Sequence, residues 1–168
     1  ATPLQGTLIM APWLRLMGAR VGKNVECSST DYVHWDTLTL GDGSFIADSV
    51  MLGVPSISRG TMRSRPTHIK NRAFVGNGAF VREGSVLGDN SLIALQTAAP
   101  RIVPDGATFL GSPPLSVDKR EKTLGANHLT YNPSFSRRCA RLAFEIFGYF
   151  LYHFYMAIFG TISLYMFD

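Results

Sequence analysis

The sequence predicts a mainly β protein, a left-handed parallel β-helix followed by a C-terminal α-helix that spans a membrane. Two observations support this fold class. Aliphatic residues recur at every sixth position through the middle of the chain, and a run of 26 residues, 142–167, holds no Asp, Lys or Arg and only one Glu, Glu145, and one His, His153. A period of six fits neither an α-helix nor a lone strand. It fits a solenoid whose coils each contain three short strands and about 18 residues.

The repeat is most regular between residues 69 and 99. The inward aliphatic set is Ile69, Val75, Val81, Leu87, Ile93 and Ala99, and four places after its members come Ala73, Ala79, Ser85, Ser91 and Thr97. We expect the aliphatic side chains to fill the flat sides of the coil and the small ones to fit the cramped inner corners. A glycine directly after an aliphatic residue, as at Gly76 and Gly88, is expected to adopt a positive φ at the turn.

The same phase extends upstream and defines the domain limits. It continues at Leu40, Ile46 and Leu52, and more weakly at Val21, Cys27 and Val33. Cys27 is therefore predicted to be a small interior hydrophobe rather than a reactive thiol. One step of seven residues precedes Leu40, and a longer break precedes Ile69. We predict an N-terminal cap over 1–20, a β-helix over 21–114 with an extruded loop over 54–67, a linker over 115–136 and a membrane helix over 137–168.

The aromatic residues are concentrated in the predicted membrane helix. Ten of the 17 Phe and Tyr residues lie within 142–167. As a helix this run would span roughly 39 Å, enough for a bilayer core of about 30 Å. Arg137, Arg138 and Arg141 precede it, which by the positive-inside rule places the β-helix on the cytoplasmic side. The alternative is a buried helix of a larger soluble core. The chain starts at Ala1 and stops just after the apolar run, so we expect it to be truncated at both ends.

Composition argues against several classes of function. Sixteen Lys and Arg against 12 Asp and Glu is too mild a surplus to indicate nucleic-acid binding. The two cysteines have neither CxxC spacing nor a neighbouring histidine cluster, so no metal is expected. The sequence also lacks a Ser/His/Asp nucleophile set and the phosphate-binding pattern GxxxxGK[ST].

Four segments carry a closer resemblance: LMGARVG (16–22), TDYVHWDTLTLGDGSFI (30–46), AFVGNGAFVREGSVLGDNSLIAL (73–95) and GSPPLSVDKRE (111–121). Together they resemble one repeat of the membrane-bound C-terminal region of nonribosomal-peptide-synthetase-like proteins of the ε-poly-lysine synthetase type. Residues 102–114 also resemble the closing segment of hexapeptide-repeat acyltransferases. The resemblance implies a module that helps to form an amide bond from an aminoacyl group held as a thioester on phosphopantetheine. It also implies three partners: the adenylation and carrier domains of the same polypeptide, and a second tandem β-helix.

The resemblance directs attention to two histidines and a basic loop. Hexapeptide-repeat acyltransferases use a histidine as general base, so His34 and His68 are the candidate catalytic residues, although a histidine in a turn is more often a plain surface residue. Arg63, Arg65 and Lys70 are candidates for binding the phosphate of the pantetheine arm. The basic loop would equally suit an acidic carrier domain or anionic lipid headgroups, or it is simply solvated.

Two further hypotheses about the function remain. Some repeats of the family carry a His-Leu-Phe-Glu-Asp-Arg segment, which this sequence lacks between Leu52 and Ile69. That departure favours a noncatalytic scaffold, a rigid solenoid that docks the carrier domain or a partner repeat at the membrane. A more remote reading is a free-standing membrane acetyltransferase that uses coenzyme A.

Overall fold

The computed structural model describes residues 5–28, 30–118, 131 and 133–167. It divides the chain into two compact units, Ala1–Ala126 and Asn127–Asp168. Residues 1–4 of the predicted cap, 119–130 and 132 of the predicted linker and the terminal residue of the predicted membrane helix lie outside the described part.

The first unit contains one short helix, α1 (Met10–Leu16), one 3-10 turn (Trp35–Thr37) and sixteen strands over its described residues. The strands are β1 (Arg20–Val21), β2 (Glu26–Cys27), β3 (Thr30–Val33), β4 (Leu38–Leu40), β5 (Phe45–Ile46), β6 (Val50–Val54), β7 (Ser56–Ser58), β8 (Thr61–Arg63), β9 (Thr67–Ile69), β10 (Phe74–Val75), β11 (Phe80–Arg82), β12 (Val86–Leu87), β13 (Leu92–Ile93), β14 (Ile102–Val103), β15 (Thr108–Leu110) and β16 (Leu115–Ser116).

Three sheets form the three sides of a triangular coil. The first side has the order β1-β4-β9-β12-β14, the second β2-β5-β10-β13-β15-β16, and the third β3-β6-β11. Neighbouring strands are parallel, except that β16 closes the second side antiparallel to β15. This is the left-handed hexapeptide-repeat β-helix that the six-residue period predicts, and the prediction of the fold class is confirmed.

The interior of the coil holds the predicted residues. The six aliphatic or small apolar positions from Ile69 to Ala99 are all buried, and so are the five small residues that follow them. Cys27 is also buried, as predicted. Helix α1 closes the first coil, because Met10 and Leu14 are buried in the same apolar cluster. Burial of a Leu or Val side chain contributes roughly 1.5–3 kcal/mol, so this stacked interior stabilises the solenoid.

The register shows where the coil departs from regularity. Ile69 pairs with Leu87, eighteen residues further on, whereas Val21 pairs with Leu40 and Leu40 with Ile69 at steps of nineteen and twenty-nine. The last coil is shorter, since Leu87 pairs with Val103. All three departures occur between the third side and the first. We call this edge the irregular corner; it comprises residues 34–37, 54–66, 83–85 and 100–101.

The expectation of a positive φ at a glycine directly after an aliphatic residue holds at Gly53, where φ is +66°, but it is wrong at Gly22, Gly41, Gly76 and Gly88. Positive φ values occur three places after the inward residue instead, at Asn24, Gly43, Ser49, Arg72, Gly78, Gly84, Asn90, Gln96 and Gly106. Gly88 is needed for a different reason. A Cβ atom there would lie 2.5 Å from the backbone nitrogen of Asp105 in the next coil. Glycine at this position therefore permits close contact between coils.

The second unit contains helix α2 (Phe135–Phe167). Its segment Phe135–Ser163 has a mean hydropathy of 1.4 and, by length and composition, is long enough and apolar enough to cross a membrane. Two polar contacts stay within the helix: Arg141 Nε donates to Glu145 Oε1 at 2.8 Å, and His153 Nδ1 lies 2.8 Å from the Tyr149 carbonyl oxygen.

Candidate active site at the irregular corner

His34 lies at the start of the irregular corner, directly after β3. Its backbone N–H donates to the Leu52 carbonyl of the next coil at 3.2 Å. The imidazole is held from both sides: Nδ1 is 3.3 Å from the Tyr32 hydroxyl, and Nε2 is 3.3 Å from Asp36 Oδ1. The side chain is 22% exposed. His34 is therefore oriented by two partners and still accessible to a substrate.

The local sequence explains this placement. The step of seven residues between Val33 and Leu40 adds one residue, and the chain uses it for the 3-10 turn Trp35–Thr37. The neighbouring coil has a glycine, Gly53, next to His34. A Cβ atom at this position would lie 3.4 Å from His34 Cβ and 3.5 Å from Thr67 Oγ1. A side chain at position 53 would crowd the histidine. This glycine is the feature of the sequence that could have indicated a restricted space there.

A hairpin leaves the coil just after Gly53. Within the predicted loop over 54–67, β7 and β8 pair antiparallel, with Ser56 opposite Arg63 and Ile57 opposite Met62. Arg59 and Gly60 form the two-residue turn, and both have positive φ, as the type I′ turns of β-hairpins require. The extruded segment is thus an ordered hairpin, which we call the corner hairpin (residues 55–66).

A buried carboxylate lies beneath the corner hairpin. The Glu83 side chain is only 2% exposed. Its Oε1 accepts hydrogen bonds from Ser56 Oγ at 3.1 Å and from Arg101 Nη2 at 3.2 Å, while Arg65 Nε lies 3.7 Å from Oε2. Sequence reasoning missed Glu83. The contact joins three coils across the same corner and so ties the base of the hairpin to the solenoid.

His68 occupies a different environment from His34. It lies in the middle of β9 on the first side, where Thr39 and Val86 are its register partners and its own side chain faces outward. Within the described part of the chain, no polar partner orients its imidazole. The structure thus gives His34 the features of an oriented base and leaves His68 on an open strand face.

The three predicted phosphate-binding residues are dispersed. Arg63 lies on the hairpin, Arg65 faces Glu83, and Lys70 Nζ is 3.2 Å from Asp105 Oδ1 on the next corner. The backbone N–H of Asp89 and the Lys70 ammonium hold the pKa of Asp105 below its usual range. Lys70 therefore forms an ion pair between neighbouring coils. A shared role of the three residues on one phosphate stays a prediction.

The structure has an apolar strip beside His34 that the sequence analysis did not predict. Tyr32, Met51 and Phe80 occupy matching outward positions on the third side, since Met51 is the register partner of both others. Tyr32 and Met51 are exposed and Phe80 is half-buried. Each of the three immediately precedes an inward aliphatic residue. The same position carries Phe45, Phe74 and Leu92 in register on the second side, so the sequence pattern alone does not distinguish this strip.

The two cysteines differ sharply in environment. Cys139 is exposed on α2, whereas Cys27 is buried inside the coil. Burial raises the pKa of the Cys27 thiol to about 12, so the reactive thiolate is absent at physiological pH. In the ranges that the structure describes, no group of three or more His, Cys, Asp or Glu side chains could hold a metal ion.

We expect a charged disulfide reagent at pH 8 to modify one thiol per native chain, at Cys139. Cys27 should react only after unfolding in guanidinium chloride, because its folded pKa lies far above the working pH. Absorbance of the released thiolate measures the count. The variant Cys139→Ser is the control and should show no fast reaction. A fast second thiol in the native wild-type chain would contradict the interior placement of Cys27.

The structure has the left-handed β-helix fold of hexapeptide-repeat proteins. The chain is 46% identical, over 141 residues, to the delta-poly-L-ornithine synthetase of Acinetobacter baumannii (strain AB307-0294). That match covers 82% of this chain and 11% of the relative. The resemblance to synthetases of the poly-amino-acid type is therefore confirmed. No protein-family model matches the chain.

Two acetyltransferases share the β-helix. The galactoside O-acetyltransferase of Escherichia coli (strain K12) is 26% identical over 106 residues, 55% of this chain and 52% of the relative. A hexapeptide-repeat acetyltransferase of Vibrio cholerae, solved with acetyl coenzyme A, superposes with a TM-score of 0.57 at 18% identity over 62% of each chain. The chain thus spans about half of one curated relative and about a tenth of the other.

Proposed function

We propose that this chain is a membrane-anchored, hexapeptide-repeat acyltransferase-like module of a nonribosomal-peptide-synthetase-like enzyme. Its role would be amide bond formation from an aminoacyl group held as a thioester on the phosphopantetheine of a carrier domain. The observation that carries the proposal is the 46% identity to a delta-poly-L-ornithine synthetase over 82% of the chain. The oriented histidine at the irregular corner supplies a suitable base.

The reaction joins an amine to a thioester. The acceptor nitrogen attacks the thioester carbonyl, a C–N bond forms, the C–S bond breaks, and the sulfur leaves as a thiol after taking up a proton. His34 would accept the proton that the attacking amine loses. If Nε2 carries a hydrogen and donates it to Asp36, then Nδ1 holds the lone pair and accepts the Tyr32 hydroxyl. An amine that displaced this hydroxyl would meet the base directly.

The surface next to His34 suits the donor arm. Pantetheine is a flexible chain with apolar stretches between two amides, and Tyr32, Met51 and Phe80 provide an apolar strip beside the imidazole. Arg63 and Arg65 lie on the hairpin that leaves the same corner. We propose that the apolar strip contacts the pantetheine arm and that Arg63 and Arg65 bind its phosphate. The partners would be the carrier domain, the adenylation domain and a second tandem β-helix.

Membrane anchoring belongs to the same proposal. Helix α2 is apolar and long enough to span the bilayer, and Arg137, Arg138 and Arg141 precede its apolar run. By the positive-inside rule the β-helix would lie on the cytoplasmic side. A cytoplasmic position would give it access to the activated amino acid.

Replacing His34 by alanine in the complete polypeptide is expected to lower kcat for product formation at least a hundredfold, the usual contribution of a positioned general base. His68→Ala is the matched control and should change kcat less than threefold, because nothing orients that imidazole in the described structure. Product length and rate, measured by mass spectrometry with excess thioester donor, give the readout.

The scaffold alternative makes the opposite prediction. It is favoured by the absence of the family's His-Leu-Phe-Glu-Asp-Arg segment between Leu52 and Ile69. A scaffold would tolerate His34→Ala but would lose product formation when the whole β-helix is deleted. Full activity of the His34 variant together with loss in the deletion would replace the catalytic proposal by the scaffold.

A further inference from the structure

The corner hairpin exposes apolar surface that the rest of its unit does not cover. The Ile57 side chain is 75% exposed and Met62 60%. They are direct cross-strand partners, so they lie on the same face of the hairpin. Ser56 and Arg63 lie on the other face, from which Ser56 reaches Glu83. The apolar pair therefore faces away from the contact that anchors the hairpin to the coil.

The hairpin is also strongly cationic. The hairpin, residues 55–66, holds three Arg and no Lys, Asp or Glu, and Lys70 and Arg72 follow it in the chain. Arg65 is engaged by Glu83, and Lys70 by Asp105. Arg59 at the turn and Arg63 on β8 have no ion-pair partner among the described residues. A positive surface next to an exposed apolar pair matches a partner that presents carboxylates around an apolar recess.

Hydrogen bonds fix the base of the corner hairpin to the next coil, whereas a solvated loop would lack such bonds. The Glu83 N–H donates to the Val54 carbonyl at 3.0 Å, and the Gly84 N–H donates to the Arg65 carbonyl at 3.2 Å. Both ends of the hairpin are thus bonded to the same corner of the next coil, and the buried Glu83 carboxylate adds Ser56 and Arg65. A rigid base presents Ile57 and Met62 at a defined position, which lowers the ordering cost of binding.

We propose that the corner hairpin is the docking element for an acidic protein surface with an apolar recess, namely that of the carrier domain that delivers the thioester. This inference rests on the proposed function, because that function requires a carrier. Ile57 and Met62 fill the recess, while Arg59 at the turn contacts the surrounding carboxylates. Docking there brings the carrier to the corner that also contains His34.

Photo-cross-linking in the complete polypeptide identifies the occupant. A benzophenone amino acid replaces Ile57, and in a matched control it replaces Leu16, which is 83% exposed on α1 of the same unit. After irradiation in lipid nanodiscs, mass spectrometry maps the linked peptides. Carrier-domain peptides at position 57 and none at position 16 support the proposal. Links from position 57 to lipid, or to a second β-helix, overturn it.

Binding of the phosphopantetheine-loaded carrier domain, added in trans and followed by fluorescence anisotropy, tests the chemistry. Arg59→Glu is expected to weaken binding several-fold at 50 mM salt, with a smaller difference at 500 mM because salt screens exposed charges. Ile57→Ser with Met62→Ser is expected to weaken binding about tenfold at both salt concentrations. The charge control Arg20→Glu, on the exposed β1 position, should change affinity less than twofold.

The outcomes separate this inference from the proposed function. Unchanged carrier affinity in both hairpin variants, with product formation still lost in His34→Ala, would overturn the docking assignment and leave the catalytic proposal intact. Weakened affinity in the hairpin variants, with full activity of His34→Ala, would support docking and remove the catalytic role. The substituted side chains lie outside the core, so each variant is expected to fold. Circular dichroism checks this.

Discussion

Replacing Gly88 by alanine is expected to destabilise the β-helix by about 3–4 kcal/mol, because the new methyl group has no space between two coils. The Cβ atom would lie 2.5 Å from both the nitrogen and Oδ1 of Asp105, and 2.6 Å from the Pro104 carbonyl carbon. Relief would require the coils to separate. That movement would weaken the bonds from Gly88 N to the Val103 carbonyl and from Asp89 N to Asp105 Oδ1. Thermal unfolding should shift down by roughly 10 °C.

Gly106→Ala is the matched control for this prediction. Gly106 has a φ of +71°, but no atom lies within 4 Å of the position its Cβ would take. The cost is then only that of a left-handed backbone, about 1–2 kcal/mol. Asn90 and Gln96 already adopt this conformation at equivalent positions of other coils. If both variants lost equal stability in urea titrations, backbone conformation rather than coil spacing would explain the glycines.

The interior of the fold was predictable from sequence because a single geometric rule governs it. Within each regular stretch the inward side chains lie on a six-residue period, and the period selects residues such as Ile69, Val75 and Leu87 without knowledge of any distant contact. The role of the glycines was not predictable in the same way. Their constraint comes from the backbone of the next coil, as at Gly88 and Asp105, so the sequence pattern was right and the inferred cause was wrong.

The site was only partly predictable because it depends on three different coils. His34 was selected, together with His68, because hexapeptide-repeat acyltransferases use a histidine as general base; the sequence could not show which of the two histidines has orienting partners. Glu83 was missed because it occupies an ordinary turn position in the regular part of the repeat. It is buried only because the corner hairpin, inserted about thirty residues earlier, returns over it and brings Ser56 and Arg65 to its carboxylate. No local pattern encodes that contact.

Arg101→Ala is expected to destabilise the first unit by about 2 kcal/mol, less than the cost of breaking a fully buried ion pair, because Glu83 is buried but the Arg101 side chain is 45% exposed. Glu83 is 2% exposed and would keep only Ser56 and the more distant Arg65 as partners. A buried charge that loses a partner cannot recover its hydration, and this loss dominates the cost. Chemical denaturation of the chain in detergent, with tryptophan fluorescence as the probe, measures the change.

Two further variants distinguish burial from simple ion pairing. Lys70→Ala removes an ion pair of the same 3.2 Å length, but both partners are solvent-exposed, so no measurable change is expected. Glu83→Gln keeps an oxygen that can accept from Ser56 and removes the buried charge. Arg101→Ala should therefore cost less in the Glu83→Gln background than in the wild type. Equal costs in both backgrounds would mean that the charge of Glu83 contributes nothing, and that Arg101 stabilises the corner only through packing of its aliphatic stem.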